Sequence, residues 1–110
     1  MFKRENRLVP GVRFSNSHLF TTPQFVFKEK ENGLNVNRFG IVVSKKIDKR
    51  AIARNRIKRF FREALSEMNK NMTSGHDILC IIKEGILNKT REENSLTIES
   101  TLRKAGLLKE

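Results

Sequence analysis

Apolar and polar residues follow two different rhythms along this chain, and each change of rhythm marks an element. The stretch "QFVFKEK" (24–30) sets Phe and Val at strand positions and fades into a charged end. Asn32–Gly33 follows, a dipeptide that favours a two-residue hairpin turn. "RFGIVVSKK" (38–46) then reads as the returning strand, and its apolar run predicts a central position covered on at least one face. From Lys49 to Asn69 the rhythm becomes helical. Ala53, Ile57, Phe60, Phe61, Ala64, Leu65 and Met68 recur in steps of three and four, which trace one stripe. Asp48 stands where a short carboxylate can cap that helix. "NMTSGH" (71–76) predicts a turn. "DILCIIKE" (77–84) predicts a buried strand, from its isoleucines and lack of alternation. "GILNKTREEN" predicts a loop. Residues 95–108 have Leu96, Ile98, Leu102 and Leu107 at helix-compatible spacing, with Ser95 as the cap. Residues 1–23 contain the breakers Pro10–Gly11 and Thr21-Thr22-Pro23, so they predict an irregular segment with at most a short helix or turn around Phe14–Leu19.

The order strand, strand, helix, strand, helix predicts an α+β fold: a two-layer α/β sandwich with a small mixed sheet, open in part on its second face. A strand–helix–strand unit by default joins parallel strands through a right-handed crossover. The 110 residues fit one domain, 1–110, with the N-terminal segment packed near the sheet.

Charge changes the picture. The chain carries 23 basic and 12 acidic residues, a net +11. Nine of the basic residues and one acid, Asp48, fall between Lys45 and Arg62, so most of the net charge sits in one short stretch. A field that concentrated attracts a polyanion. At about 100° per residue the helix side opposite the apolar stripe holds Asn55, Arg59, Arg62 and Ser66. Lys58 lies nearby, with Arg54 and Arg56 on the flanks. No carboxylate occurs from residue 49 to 62 to pair with them. Like charges on neighbouring turns repel, an arrangement that makes sense when phosphates complete it. Arginine outnumbers lysine in the helix, which favours forked contact with phosphate oxygens.

Enzyme chemistry finds little support. His18 and His76 look isolated, the acids are scattered, and no phosphate-cradling glycine loop occurs. Cys80 lies inside "ILCII" and reads as a buried thiol, which suits a reducing cytosol. No run approaches the roughly 18 apolar residues of a membrane span, and the expectation is a cytoplasmic protein with no membrane partner. A membrane-surface helix is disfavoured because the apolar stripe is needed for the core. DNA is disfavoured because the basic helix lies between two strands, with no helix-turn-helix or zinc-finger spacing. Phe14, Phe20, Phe25 and Phe27 could line the open sheet face and stack on single-stranded RNA, although Phe25 and Phe27 also suit a core.

"RFGIVVSKKIDKRAIARNRIKRFFREAL" (38–65) resembles the signature of the bacterial ribonuclease P protein subunit: the Gly40–Lys46 strand, a short turn, Arg54-Asn55-Arg56-Ile57-Lys58-Arg59, and Arg62-Glu63. Arg7, Leu8 and Phe14 in "RLVPGVRF", and "HDILCII", extend the resemblance over most of residues 7–84. It implies a small basic cofactor of a catalytic RNA that, with Mg²⁺, removes the 5′ leader of precursor tRNA. It implies the ribosomal protein S5 domain 2-like fold, whose strand–helix–strand crossover is left-handed, against the default above. Lys45, Lys46, Arg50, Arg54, Asn55, Arg56, Lys58, Arg59 and Arg62 would then face the catalytic RNA. Phe14, Phe20, Phe25 and Phe27 would lie by the leader cleft. The protein would contribute no catalytic residue, bind no metal by itself and need no protein oligomer. The family usually places a second aromatic one turn after the Phe14 position, where this chain has His18. The competing readings are a general structured-RNA-binding or ribosomal-type protein and a protein-only nuclease.

Overall fold

Two strands form the middle of a four-stranded sheet, β2 (Phe25–Glu31) and β4 (His76–Ile82). β1 (His18–Thr21) pairs antiparallel with β2 at one edge, and β3 (Arg38–Val42) pairs parallel with β4 at the other, giving the order β1-β2-β4-β3. Helix α1 (Ala51–Asn69) connects β3 to β4, and α2 (Arg91–Lys104) follows β4. The computed structural model describes residues 3–9, 12–14 and 16–109. The expected Pro10–Gly11 break lies outside them.

The core forms between one sheet face and the helices. Phe25 and Phe27 sit opposite Ile82 and Cys80 in the β2–β4 register, and α1 contributes Phe61 and Leu65, α2 Ile98 and Leu102. Phe25 stacks on Phe27 at 4.5 Å and meets Phe61 edge-on at 5.7 Å, the offset and T-shaped geometries that aromatic quadrupoles favour. Burial pushes the Cys80 thiol well above its ordinary pKa, so it behaves as a small apolar side chain.

Several expectations change. The N-terminal segment contains a strand, β1, in place of a helix or turn. Thr22 makes the turn behind it: its hydroxyl accepts from the Gln24 and Phe25 amides at 3.2 and 3.0 Å. The Asn32–Gly33 dipeptide does not close a hairpin, because β4 lies between β2 and β3. Gly33 still takes the left-handed conformation (φ +72°). The Asn32 side chain instead organises the connection, accepting from the Leu34 amide and donating to Asp77 Oδ1 at 2.9 Å. β3 is an edge strand and not a central one. The N-terminal segment covers it, with Arg7 bridging to Phe39 and the Leu8 amide donating to the Phe39 carbonyl at 3.0 Å.

α1 begins at Ala51 with Arg50 at the N-cap position and no side-chain cap. Asp48 lies two residues before the N-cap position, too early to cap, and accepts from the Arg50 amide at 2.9 Å. α2 begins at Arg91, before the expected Ser95, because Thr90 and Glu93 form a reciprocal capping box. It ends at Lys104, where Gly106 (φ +74°) reverses the chain and the Leu107 amide returns to the Leu102 carbonyl.

Polar groups are also built into the interior. The Asp77 side chain is fully buried and receives two 2.7 Å hydrogen bonds from Arg38, on adjacent β3. The two histidines that look isolated in the sequence converge on buried Glu29, whose carboxylate meets His18 Nδ1 at 3.0 Å and His76 Nδ1 at 2.8 Å. Gly85 packs against the β1–β2 turn so closely that a methyl group there would overlap the Pro23 carbonyl. Gly85→Ala is therefore expected to cost about 1–3 kcal/mol, visible as a lowered thermal midpoint.

Candidate nucleic-acid interface

The exposed side of α1 follows from its amphipathic pattern. With Phe61 and Leu65 turned to the core, Ile52, Asn55, Arg56, Arg59, Arg62 and Glu63 come together along a shallow groove of about 370 Å³. Asn55, Arg56, Arg59 and Arg62 are exposed, and Lys58 is half-buried beside them. Among the described residues no carboxylate lies within ion-pair distance of Lys45, Lys46, Arg56, Lys58, Arg59 or Arg62. A bare positive strip of this kind projects a field into solvent.

Two of the expected RNA-facing cations already have partners. Arg50 forks onto Asp48, with Nε 3.2 Å from Oδ1 and Nη2 3.0 Å from Oδ2. The Arg50 guanidinium and then the Arg50 amide lower the Asp48 carboxyl to about 2, so Asp48 stays charged across the physiological range. Arg54 Nη1 donates to the Asp48 and Lys49 carbonyls at 3.0 and 2.8 Å. It ties down the turn that enters α1, which makes it a brace for the helix as well as a charge on it.

The second face is the side of the sheet away from the helices. Alternation along β2 sends Phe25, Phe27 and Glu29 into the protein and Val26, Lys28 and Lys30 to this side. Phe25 and Phe27 are 0% and 1% exposed, so their rings cannot stack on a ligand as the cleft assignment required. Phe20, opposite Phe27 in the β1–β2 register, packs against the core from the same side. Phe14 alone of the four reaches the open face, with Lys30 Nζ 5.4 Å from its ring centroid, a cation–π arrangement. Leu79, Ile81 and exposed Val42 supply the rest of the surface from β4 and β3.

Phe14 was expected here from the sequence, but Lys28, Lys30, Leu79, Ile81 and Val42 were not, although the alternation in "QFVFKEK" could have separated Lys28 and Lys30 from the two phenylalanines. Leu8 borders the same face by lying on Gly40, where a Cβ would come within 2.9 Å of Leu8 Cδ2. The absent side chain lets the N-terminal segment approach the sheet. No group of three or more His, Cys, Asp or Glu among the described residues is arranged to hold a metal ion. No helix in the described residues is long and apolar enough to cross a membrane.

Comparison with known proteins agrees with a basic helix set on a small mixed sheet. The family model described as Ribonuclease P matches residues 2–106. The chain is 34% identical over 97 residues to the ribonuclease P protein component of Caldanaerobacter subterraneus, covering 88% of this chain and 83% of that protein. It is 35% identical over 109 residues to that of Pseudoalteromonas translucida, covering 94% and 76%. Among solved structures, the Staphylococcus aureus RNase P protein superposes with a TM-score of 0.76 at 29% identity, over 84% of each chain. The Thermotoga maritima RNase P protein gives 0.63 at 27%, over 81% and 80%. The chain therefore belongs to the Ribonuclease P family, the protein components of the tRNA-processing endoribonuclease, which act together with an RNA subunit.

Proposed function

We propose that α1 docks this chain onto the catalytic RNA while the open sheet face takes the single-stranded 5′ leader of precursor tRNA. The observation that carries the first part is the strip Arg56–Arg59–Arg62, which lacks internal counter-charges among the described residues. Phosphates neutralise such a strip and release counterions. Lys45 and Lys46, exposed between β3 and α1, extend the positive surface. The second part rests on Phe14 with Lys30, and on Val26, Lys28, Leu79 and Ile81. Together they offer cations for a backbone and apolar surface for bases.

The chemistry belongs to the RNA in this reading, with Mg²⁺ held mainly by its phosphates. The protein's buried carboxylates have structural work to do, Asp77 with Arg38 and Glu29 with the two histidines. Cleavage of precursor tRNA by the cognate catalytic RNA, measured at low Mg²⁺ with and without this protein, tests the proposal. The expected result is no cleavage by protein alone and a lower Mg²⁺ requirement when it joins the RNA. An unchanged Mg²⁺ requirement would overturn it. Equal affinity for every structured RNA would favour the general RNA-binding reading.

A further inference from the structure

The groove on α1 holds more than a phosphate site needs. Phosphate contact requires donors and positive charge, which Arg56, Arg59 and Arg62 supply. The same groove is lined by Ile52 and Glu63. Ile52 is 71% exposed, the most exposed of the chain's large apolar side chains among the described residues. Its place in the first turn of α1 faces away from the core, so folding does not account for it. Glu63 is exposed and forms no ion pair within the described residues, although Arg59 stands one turn before it. Towards a phosphate, Ile52 is inert and Glu63 repulsive.

An unstacked nucleobase uses all of these groups. Its face can rest on Ile52 and on a flat guanidinium, as bases do on apolar and arginine surfaces. Its exocyclic amine can donate to the Glu63 carboxylate. Its ring edge can pair with the Asn55 amide, which both donates and accepts. The neighbouring arginines then hold the phosphates on either side of it. The groove volume of about 370 Å³ leaves room for a single base. We infer that this groove receives one unpaired base of the catalytic RNA, so that α1 reads a splayed-out nucleotide as well as backbone charge. The inference rests on the proposed docking of α1 to that RNA.

The test compares Ile52→Ser, Glu63→Ala and Arg59→Ala with the wild type. Binding is measured across a salt series to three RNAs: the catalytic RNA, precursor tRNA, and a perfectly paired RNA duplex. Ile52→Ser should weaken binding to the catalytic RNA by about five- to tenfold at every salt concentration, leaving the salt slope unchanged. It should bind the duplex as the wild type does, since a duplex offers no free base. Arg59→Ala should instead flatten the slope for all three RNAs.

Glu63→Ala separates the readings by sign. Losing a repulsive carboxylate should tighten duplex binding, whereas losing an acceptor for a base should leave catalytic-RNA binding no tighter. Ile52 is exposed, so an unchanged thermal midpoint is expected to show that the fold is intact. Wild-type affinity of Ile52→Ser for the catalytic RNA, or an equal loss on the duplex, would overturn the inference. A loss confined to precursor tRNA would overturn the assignment to the catalytic RNA. Should the wild type hold the catalytic RNA no better than the duplex, the docking proposal falls and the base site with it. If the wild type discriminates and the Ile52 variant matches it, only the base site falls.

Discussion

Replacing Arg56, Arg59 and Arg62 together with alanine is expected to flatten the salt dependence of catalytic-RNA binding by about two to three units in a log–log plot. Affinity near 0.1 M salt should fall on the order of a hundredfold. The reasoning is local. Each of these side chains is exposed and lacks an ion-pair partner among the described residues. Among the described residues no ion pair therefore depends on their charge. Arg56 and Arg59, and Arg59 and Arg62, stand three apart on one helix face, where like charges cost about 0.2–0.5 kcal/mol per pair. The triple variant should accordingly be as stable as the wild type or slightly more so. Binding titrations over a salt series, with thermal melts of the free proteins, check both halves. A large loss of stability in this variant would mean that the arginines have internal work that the structure does not assign to them.

Arg38→Ala is expected to act in the opposite way, through the fold. Asp77 is completely buried, and Arg38, one-fifth exposed, supplies two of its hydrogen bonds. Removing one partner of a buried pair strands the other without compensation and costs about 3–5 kcal/mol. The lower end applies here, because water can follow into the space that Arg38 leaves.

The pH dependence carries a sign. Burial pushes the Asp77 carboxyl up, but the Arg38 and Asn32 hydrogen bonds and the charges of Arg38 and Lys30 outweigh it, holding it below the ordinary carboxylate value. A depressed carboxyl stabilises the folded state above its unfolded pKa, and that contribution is lost as the pH falls through the folded pKa. In Arg38→Ala the charge to be compensated disappears on protonation. The stability gap between wild type and variant should therefore be widest near neutrality and narrow in acid. Urea melts from about pH 7 down to pH 3 read this directly. Adding Asp77→Asn to Arg38→Ala should recover part of the loss at neutral pH, since no charge is then left buried. A gap that stayed constant with pH would point to lost packing of Arg38 and not to the stranded carboxylate.

The parts of this molecule that were legible beforehand are those where a period speaks over many residues. α1 showed its two sides because its apolar stripe runs nearly its whole length, and β2 and β4 were visible from their density of phenylalanine and isoleucine. β1 was not, because "HLFT" has no pattern of its own and becomes a strand by pairing with β2. The edge position of β3 was hidden for a related reason: the residues that cover it, Arg7 and Leu8, lie far away in sequence. The start of α2 could have been read from Thr90 and Glu93, whose spacing is a capping box. In the candidate interface the cationic strip was plain, but the engagement of Arg54 was not, since backbone carbonyl acceptors leave no trace in composition. Phe25 and Phe27 were placed by the cleft on the family resemblance, whereas the two-residue alternation of the strand turns them inward, as a core reading of the same residues has it.

The sheet is armoured on one side only, and this divides the labour within a single strand. Along β2, residues 25, 27 and 29 answer to the interior, while 26 and 28 answer to whatever is laid across the bare side. The second set can drift to suit a different ligand without disturbing the packing that the first set guards. Affinity and durability in this protein are thus written on alternate letters of the same word, and either can be revised while the other is left in place.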